Sequence, residues 1–193
     1  GNTVYTVNQG SSATKALAAV KAGITGYLAT DANGTGKTSM LRQIRENNTP
    51  AVRFSESARP AFFSQLHAEI LQEQNTIYQE FFDAGFETPE QVETYLQKYC
   101  FDPDSLGRKV GHLSGGEKNL LQLAKLAASQ ANLLLLDEPS SHLDTFAQIA
   151  LEDAIAAYRG AVLMVSHDFY TIVNCADTIL FVENGGIRPV SAR

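Results

Sequence analysis

Residues Leu113 to Asp144 read LSGGEKNLLQLAKLAASQANLLLLDEPSSHLD, and they decide how the rest of the chain is read. Ser114 and Glu117 stand at the spacing of a capping box, so a helix should begin here with its end satisfied. The paired Gly115 and Gly116 leave backbone N–H groups uncovered, and a helix start with bare amides is an anion site, most often for phosphate. Leu120, Leu121, Leu123, Ala124, Leu126 and Ala127 continue an apolar face at helical spacing. Leu133 to Leu136 do not alternate, which marks a strand buried on both faces and central in a parallel sheet. Asp137 and Glu138 close that strand at its C-terminal end, the edge where open α/β sheets bind ligands, and Pro139 stops it. Taken alone, SGG is also compatible with a turn before a helix, and LLLLDE with a strand running into a surface loop.

Upstream lies a second phosphate device. Gly26 to Thr30 reads as a buried strand, Asp31-Ala32-Asn33-Gly34-Thr35-Gly36-Lys37-Thr38 as a glycine-rich turn, and Met40, Leu41 and Ile44 as a helix face. Strand, turn and helix in this order are the context of a P-loop, whose amides wrap phosphates while Lys37 reaches the β and γ phosphates and the Thr38 hydroxyl ligates Mg²⁺. Asn33 to Ser39 is intact, but Asp31 stands where the pattern has glycine. A carboxylate about 4 Å from a phosphate charge is repelled by about 4 kcal/mol at an effective dielectric near 20, so Asp31 must point into water.

The remaining segments frame these devices. Val4 to Val7, Ala51 to Phe54 and Ala61 to Ser64 read as short strands, and Ala16 to Val20 as an apolar segment. Ile77, Phe81 and Phe82 mark a helix closed by Gly85. Thr88-Pro89-Glu90-Gln91 starts another, with Val92, Tyr95, Leu96 and Tyr99 as a core stripe that Asp102-Pro103-Asp104 ends. A helix carries Ile149, Ala150, Asp153, Ala154 and Ile155, with its apolar members expected to face the sheet. Ala161 to Val165 is a buried strand ending in Ser166-His167-Asp168, and Thr178 to Val182 with Ile187 to Val190 make a terminal hairpin around Asn184-Gly185-Gly186.

The 193 residues suffice for one domain. Cys100 and Cys175 lie far apart and without metal-ligand spacing, which fits a reduced, cytoplasmic protein. A net charge of −6 does not point to nucleic acid, and no apolar run has membrane-spanning length. The polar start at Gly1 suggests an excised domain.

These motifs, in this order and over nearly the whole chain, resemble the ATP-binding cassette (ABC) ATPases. LSGGE resembles their signature, LLLLDEP their Walker B strand, Ser140 to Asp144 their D-loop and Ser166-His167-Asp168 their switch-histidine motif. The resemblance implies an α/β P-loop NTPase fold: a mainly parallel sheet flanked by helices, with a small helical subdomain. It implies one ATPase domain over 1–193, its core lobe at about 1–65 and 113–193 and its helical lobe at about 66–112. It implies ATP and Mg²⁺ as cofactors. The P-loop residues Asn33, Gly34, Thr35, Gly36, Lys37, Thr38 and Ser39 bind nucleotide. Tyr5 is the candidate to stack on adenine, the alternative being a surface tyrosine on an edge strand. Thr38 and Gln65 ligate Mg²⁺, with Asp137 contacting it through water. Glu138 polarises the attacking water, while Gln65 and His167 attend the water and the γ-phosphate. For Gln65 the alternative is a lone surface amide, and for His167 a histidine satisfied by a local carbonyl. Ser114, Gly115, Gly116 and Glu117 cap the ATP of a second cassette, with Asp144 in the D-loop, so the partner is a sister cassette or a second copy of the same chain.

Glu117-Lys118 and His142-Leu143-Asp144 resemble the soluble ABC-F group, whose members bind ribosomes and act in translation or antibiotic resistance, although Ser140-Ser141 stand where that group prefers Thr-Asn. No arm-length insertion lies between Gln65 and Ser114, which resembles the group's second cassette and implies no direct membrane insertion. Two other readings stay open at this point: the ATP-binding subunit of a membrane transporter, and a nucleotide-gated module without catalysis.

Overall fold

A computed structural model describes residues 2–8, 41, 44–46, 58–63, 66, 69–82, 84–183 and 186–191. The strands are β1 (Asn2–Asn8), β2 (Pro60–Phe63), β3 (Leu133–Asp137), β4 (Ala161–Val165), β5 (Thr178–Glu183) and β6 (Gly186–Ser191). The helices are α1 (Ile77–Phe82), α2 (Pro89–Leu96), α3 (Gly115–Ala128), α4 (Thr145–Ala157) and α5 (Phe169–Cys175). The sheet order is β2-β3-β4-β1-β5-β6. Pairing is parallel across β2-β3-β4 and antiparallel through β1, β5 and β6. The parallel portion carries the acidic strand end and the histidine loop, so it is the part that places the site.

β3 takes the position its sequence dictates. Its four leucines are buried, and it is paired on both sides by β2 and β4. Leu134 and Leu136 share one face with Val162 and Met164, and this face joins the main core with Leu120, Leu121, Leu123 and Ala124 of α3 and Ala150, Leu151 and Ile155 of α4. Leu133, Leu135, Leu163 and Val165 on the opposite face are buried as well. Each buried leucine contributes about 1.5–3 kcal/mol relative to exposure, so eight such positions on two strands anchor the sheet.

The helices between β2 and α3 follow their local signals. α1 ends where Gly85 takes φ +93, a conformation that a side chain would strain. At α2 the Thr88 hydroxyl accepts from the Gln91 amide, with Pro89 in the first turn. The Gln91 side chain reaches back one residue further than a capping box requires, accepting from Glu87 N at 2.9 Å. Val92, Leu96 and Tyr99 are buried as core.

Three expectations meet corrections or limits. Ile149 was expected to face the sheet, but it is 52% exposed; Leu151, two positions on, takes the buried place. β1 is longer than Val4 to Val7 and lies inside the sheet, with Tyr5 opposite Met164 on one side and Ile179 on the other, so the edge-strand alternative for Tyr5 fails. The segments Ala16 to Val20, Gly26 to Thr30 and Ala51 to Phe54 lie outside the described residues, although positions 41 and 44–46 are helical with Leu41 and Ile44 buried.

The two cysteines differ sharply. Cys100 is exposed, whereas burial, reinforced by Glu152 and Asp153, pushes the Cys175 thiol up to about 12. A thiol reagent at neutral pH should therefore modify one cysteine in the native protein and the second only after unfolding. Two fast thiols would show that α5 does not shield Cys175.

Candidate functional site

The loops after β3 and β4 and the start of α3 converge at the C-terminal edge of the parallel strands. The β3 loop begins at Glu138, whose N–H donates to Val165 O at 2.9 Å and so extends the β3–β4 ladder by one residue. Glu138 then turns with φ +49, and His142 with φ +65, both in the left-handed region. Such positions cost a non-glycine residue about 1–3 kcal/mol and persist only where surroundings hold them. At Glu138 those surroundings include His167: its N–H donates to Glu138 Oε2 at 3.1 Å, and its Nε2 lies 3.1 Å from Glu138 Oε1. The contact becomes an ion pair when the imidazole is protonated. The Glu138 side chain is largely enclosed at 15% exposure, whereas that of His167 is 71% exposed. The carboxylate is held from behind and the imidazole faces solvent, an arrangement suited to orienting a water molecule.

Beneath them, Ser166 is buried, with its hydroxyl 3.3 Å from Ser140 Oγ and accepting from Asp168 N at 3.0 Å. This serine pair ties the β4 loop to the β3 loop.

The signature forms the predicted capping box in full. Ser114 Oγ accepts from Glu117 N at 3.2 Å, and Glu117 Oε2 accepts from Ser114 N at 2.7 Å. Arg108 adds a third partner, donating to Glu117 Oε1 at 2.8 Å and to His112 O at 3.3 Å. Partial burial works to raise the Glu117 pKa, but the Ser114 amide, the Arg108 guanidinium and the Ser114 hydroxyl together hold it below 4.5. A depressed folded pKa means that the carboxylate stabilises the fold above the ordinary glutamate range, and that this is lost as pH falls through the depressed value. Glu117→Gln should therefore lower Tm at about pH 7 and have much less effect near pH 3, in paired thermal melts. An equal effect at both pH values would dissociate the cap from its charge.

Ser114 and Gly115 are exposed. Gly116 packs closely on the D-loop, where an added Cβ would meet Leu143 Cδ2 at 3.3 Å and His142 O at 3.4 Å. Asn119, one turn on, is buried and donates to Pro139 O at 3.3 Å and Ser141 O at 3.0 Å. The signature helix thus holds the backbone of the loop that follows Glu138. A cavity of about 370 Å³ opens between them, lined by Phe63, Leu66, Gly115, Asn119, Glu138 and Ser141 among others. Asn119→Ala should leave a buried carbonyl at Pro139 and a half-buried one at Ser141 without this donor, at a cost of about 1–3 kcal/mol, or roughly 2–4 °C in Tm per kcal/mol for a chain of this size. An unchanged melting curve would show that the contacts are dispensable.

Each loop ends as a helix cap. Asp144 Oδ1 accepts from Ala147 N at 2.8 Å to start α4, and Asp168 Oδ1 accepts from Thr171 N at 2.9 Å to start α5, as Ser114 does for α3. Asp144 therefore has a local structural task besides its D-loop position. Gln148 joins α4 to α5, donating to Asp168 Oδ1 at 3.2 Å and Thr171 Oγ1 at 3.3 Å.

The structure brings Glu138 at the end of β3 to His167, sets Gly115 and Glu138 on one cavity and Gly116 against the D-loop, and places Asp144 at the start of α4. Asn33 to Ser39 and Gln65 lie outside the described residues, and Tyr5 is placed in β1 beside β4. Among the described residues, no three His, Cys, Asp or Glu side chains cluster to hold a metal ion. Mg²⁺ is compatible with that, because it takes one or two carboxylates plus phosphate oxygens and water, and Asp137 at the end of β3 offers the hard oxygen such a site requires. Asn119, Arg108 and the contact of Ser166 with Ser140 were not foreseen. A signal existed for Asn119, a single amide immediately before the apolar run on the signature helix.

Comparison with known proteins agrees with this architecture. The family model described as ABC transporter matches residues 30–141, more than half of the chain. The chain belongs to this family, as an ATP-binding cassette. Its relatives include members of the ABC transporter F family. It is 35% identical over 158 residues to ABC transporter F family member 5 of Arabidopsis thaliana, covering 79% of this chain and 23% of that protein. It is 35% identical over 162 residues to the ATP-binding protein Uup of Escherichia coli (strain K12), covering 80% of this chain and 25% of that protein. The chain thus spans about a quarter of the length of these relatives. Among solved structures, a dimeric post-hydrolysis state of the ATP-binding cassette MJ0796 bound to ADP and Pi superposes with a TM-score of 0.62 at 18% identity, covering 83% of this chain and 82% of that one, a likeness of fold.

Proposed function

We propose that this chain is the second cassette of an ABC-F protein, which binds and hydrolyses ATP in a head-to-tail pair of cassettes and acts on the ribosome from the cytoplasm. The observation that carries the catalytic part is the Glu138 carboxylate, enclosed at the end of β3 and fixed by both the amide and the imidazole of His167. The pairing is supported by the exposed start of α3, where Gly115 leaves room for an anion from outside the chain although Glu117 already occupies the Ser114 amide. We assign the whole of 1–193 to one domain, with a core lobe at about 1–65 and 113–193 and a helical lobe at about 66–112. The short helices and 3₁₀ turns between β2 and α3 favour that division.

Phosphoryl transfer needs positioning and charge neutralisation more than covalent chemistry. Lys37 and the amides from Asn33 to Ser39 hold the phosphates, with Tyr5 against the adenine. Mg²⁺, when bound, neutralises charge on the phosphate oxygens, and Thr38, Gln65 and Asp137 are the residues that would hold it. Glu138 accepts a proton from the attacking water, while His167 orients the carboxylate and donates toward the γ-phosphate. A partner's signature closes the site and excludes bulk water.

Among the described residues no helix is long and apolar enough to cross a membrane. The ribosomal role rests on the ABC-F likeness. Steady-state ATP turnover by the full-length protein, with ribosome co-sedimentation in the presence and absence of ATP, tests both parts. Absence of turnover would sink the catalytic reading, and ATP-independent absence from ribosome pellets would sink the ribosomal one.

A further inference from the structure

A buried acid lies outside the site just described. Glu80 on α1 is fully enclosed, with 0% side-chain exposure. Its Oε2 lies 2.6 Å from Lys125 Nζ on α3, and its Oε1 accepts from Gln72 N and Asn75 Nδ2, each at 2.9 Å. Lys125 Nζ also donates to Ile70 O at 3.0 Å. Three groups of the stretch 70–75 thus converge on one ion pair between helix α1 and the signature helix.

Further bonds fasten the same stretch at the other end of the signature segment. Lys118 Nζ lies 3.2 Å from Glu73 Oε1, Gly111 N donates to Glu73 O at 3.0 Å, Val110 N to Asn75 O at 2.9 Å, and Thr76 bridges Lys109. Residues 70–76 therefore grip α3 at Lys118 and Lys125, nearly two turns apart, and they begin only a few residues after Gln65.

Stability alone does not account for the Glu80–Lys125 pair, because well-packed apolar residues of similar volume commonly serve as well as a buried ion pair. What the pair supplies is a single register. If α3 slid or rotated against 70–76, Glu80 would keep its charge without its cation, so intermediate positions are disfavoured and the two segments move as one. Lys125 lies ten residues beyond the first residue of α3, about 15 Å along a rigid helix at 1.5 Å per residue. A small error in its seating is carried to Ser114.

We propose that Glu80 and Lys125 are a positioning pair, locking the orientation of the signature helix to residues 70–76 and so aligning the signature for a partner's ATP. The consequence for turnover rests on the ATPase reading above; the lock itself does not.

The test uses the full-length protein with Glu80→Gln/Lys125→Met, Lys125→Met alone, and Lys125→Arg. The double variant removes both charges together, keeps an oxygen for Gln72 and Asn75, and should melt closer to the wild type than Lys125→Met does. Its kcat should fall about 2- to 30-fold, the range of couplings carried by such contacts, with KM for ATP unchanged. Lys125→Arg should retain most of the kcat. Wild-type kcat in the double variant, or a loss confined to KM, overturns the proposal. Amide hydrogen exchange without nucleotide reads the lock independently: in the double variant residues 70–76 should exchange faster while the centre of α3 stays protected. Unchanged protection of 70–76 overturns the lock even if the wild-type protein proves unable to hydrolyse ATP, an outcome that would instead remove the ATPase reading.

Discussion

Glu138→Gln is expected to reduce ATP turnover about 10²–10⁴-fold while leaving ATP binding intact. The factor corresponds to roughly 3–5 kcal/mol of barrier. The glutamine amide has the size of the carboxylate, and its oxygen can still accept from His167 N, now seen donating to Glu138 Oε2 at 3.1 Å. It has no basic oxygen to take a proton from water. The left-handed turn at Glu138 is a backbone property that glutamine tolerates as well as glutamate does. The variant should therefore fold, bind nucleotide and stall. Single-turnover hydrolysis together with a calorimetric ATP titration separates the two properties. Turnover within a few-fold of wild type would remove Glu138 from its role, and loss of binding would mean that the carboxylate builds the nucleotide pocket.

A dimer of the stalled protein is the second large effect expected. Without nucleotide the chain should be monomeric, because one exposed helix start offers an anion only about 0.3–1 kcal/mol, up to about 2 when partly buried. With Mg-ATP and Glu138→Gln, two signatures engage two nucleotides and a dimer should appear in light scattering. Adding Ser114→Arg should abolish it, since the larger side chain occupies the space in front of the exposed helix start. Ser114 also caps α3, a role whose loss costs about 0.5–2 kcal/mol. Ser114→Ala is therefore the control: it removes the cap but leaves the space, and should weaken the dimer less than arginine does. Equal dimerisation in the arginine and serine proteins would refute the signature assignment. A Glu138→Gln protein that stays monomeric at saturating ATP would show that this cassette pairs only with a different one.

The parts of the fold that were legible in the sequence are those governed by short-range rules. Four consecutive leucines specified an interior strand, and Ser114 with Glu117 specified a helix start to the residue. The failures have physical causes. Ile149 and Leu151 are both apolar on one helix, and only the packing of α4 against α3 and the sheet decides which is buried, so Ile149 was misplaced while Ala150 and Ile155 are buried as expected. The position of β1 between β4 and β5 is a pairing between distant segments that no local pattern encodes. In the site, Asp137, Glu138 and His167 were readable as strand-end residues of buried runs. The direct approach of His167 to Glu138 was not, because it depends on a left-handed turn at a residue whose type does not advertise one. Asn119 and Arg108 act through backbone carbonyls and a cap, partners that leave no mark at a fixed sequence spacing.

The shared ending of the three loops, at Ser114, Asp144 and Asp168, bears on how mutational data from this protein are read. Each is the last residue of a site loop and the first fastening of a helix. A substitution at any of them loosens a helix start and displaces the neighbouring site residue in one act. A survey that records only growth or turnover would rank all three with Glu138, although loss of the cap alone would account for part of each defect. Soluble yield or thermal midpoint, recorded alongside, would separate them: Glu138→Gln should leave both unchanged, whereas loss of a cap lowers both.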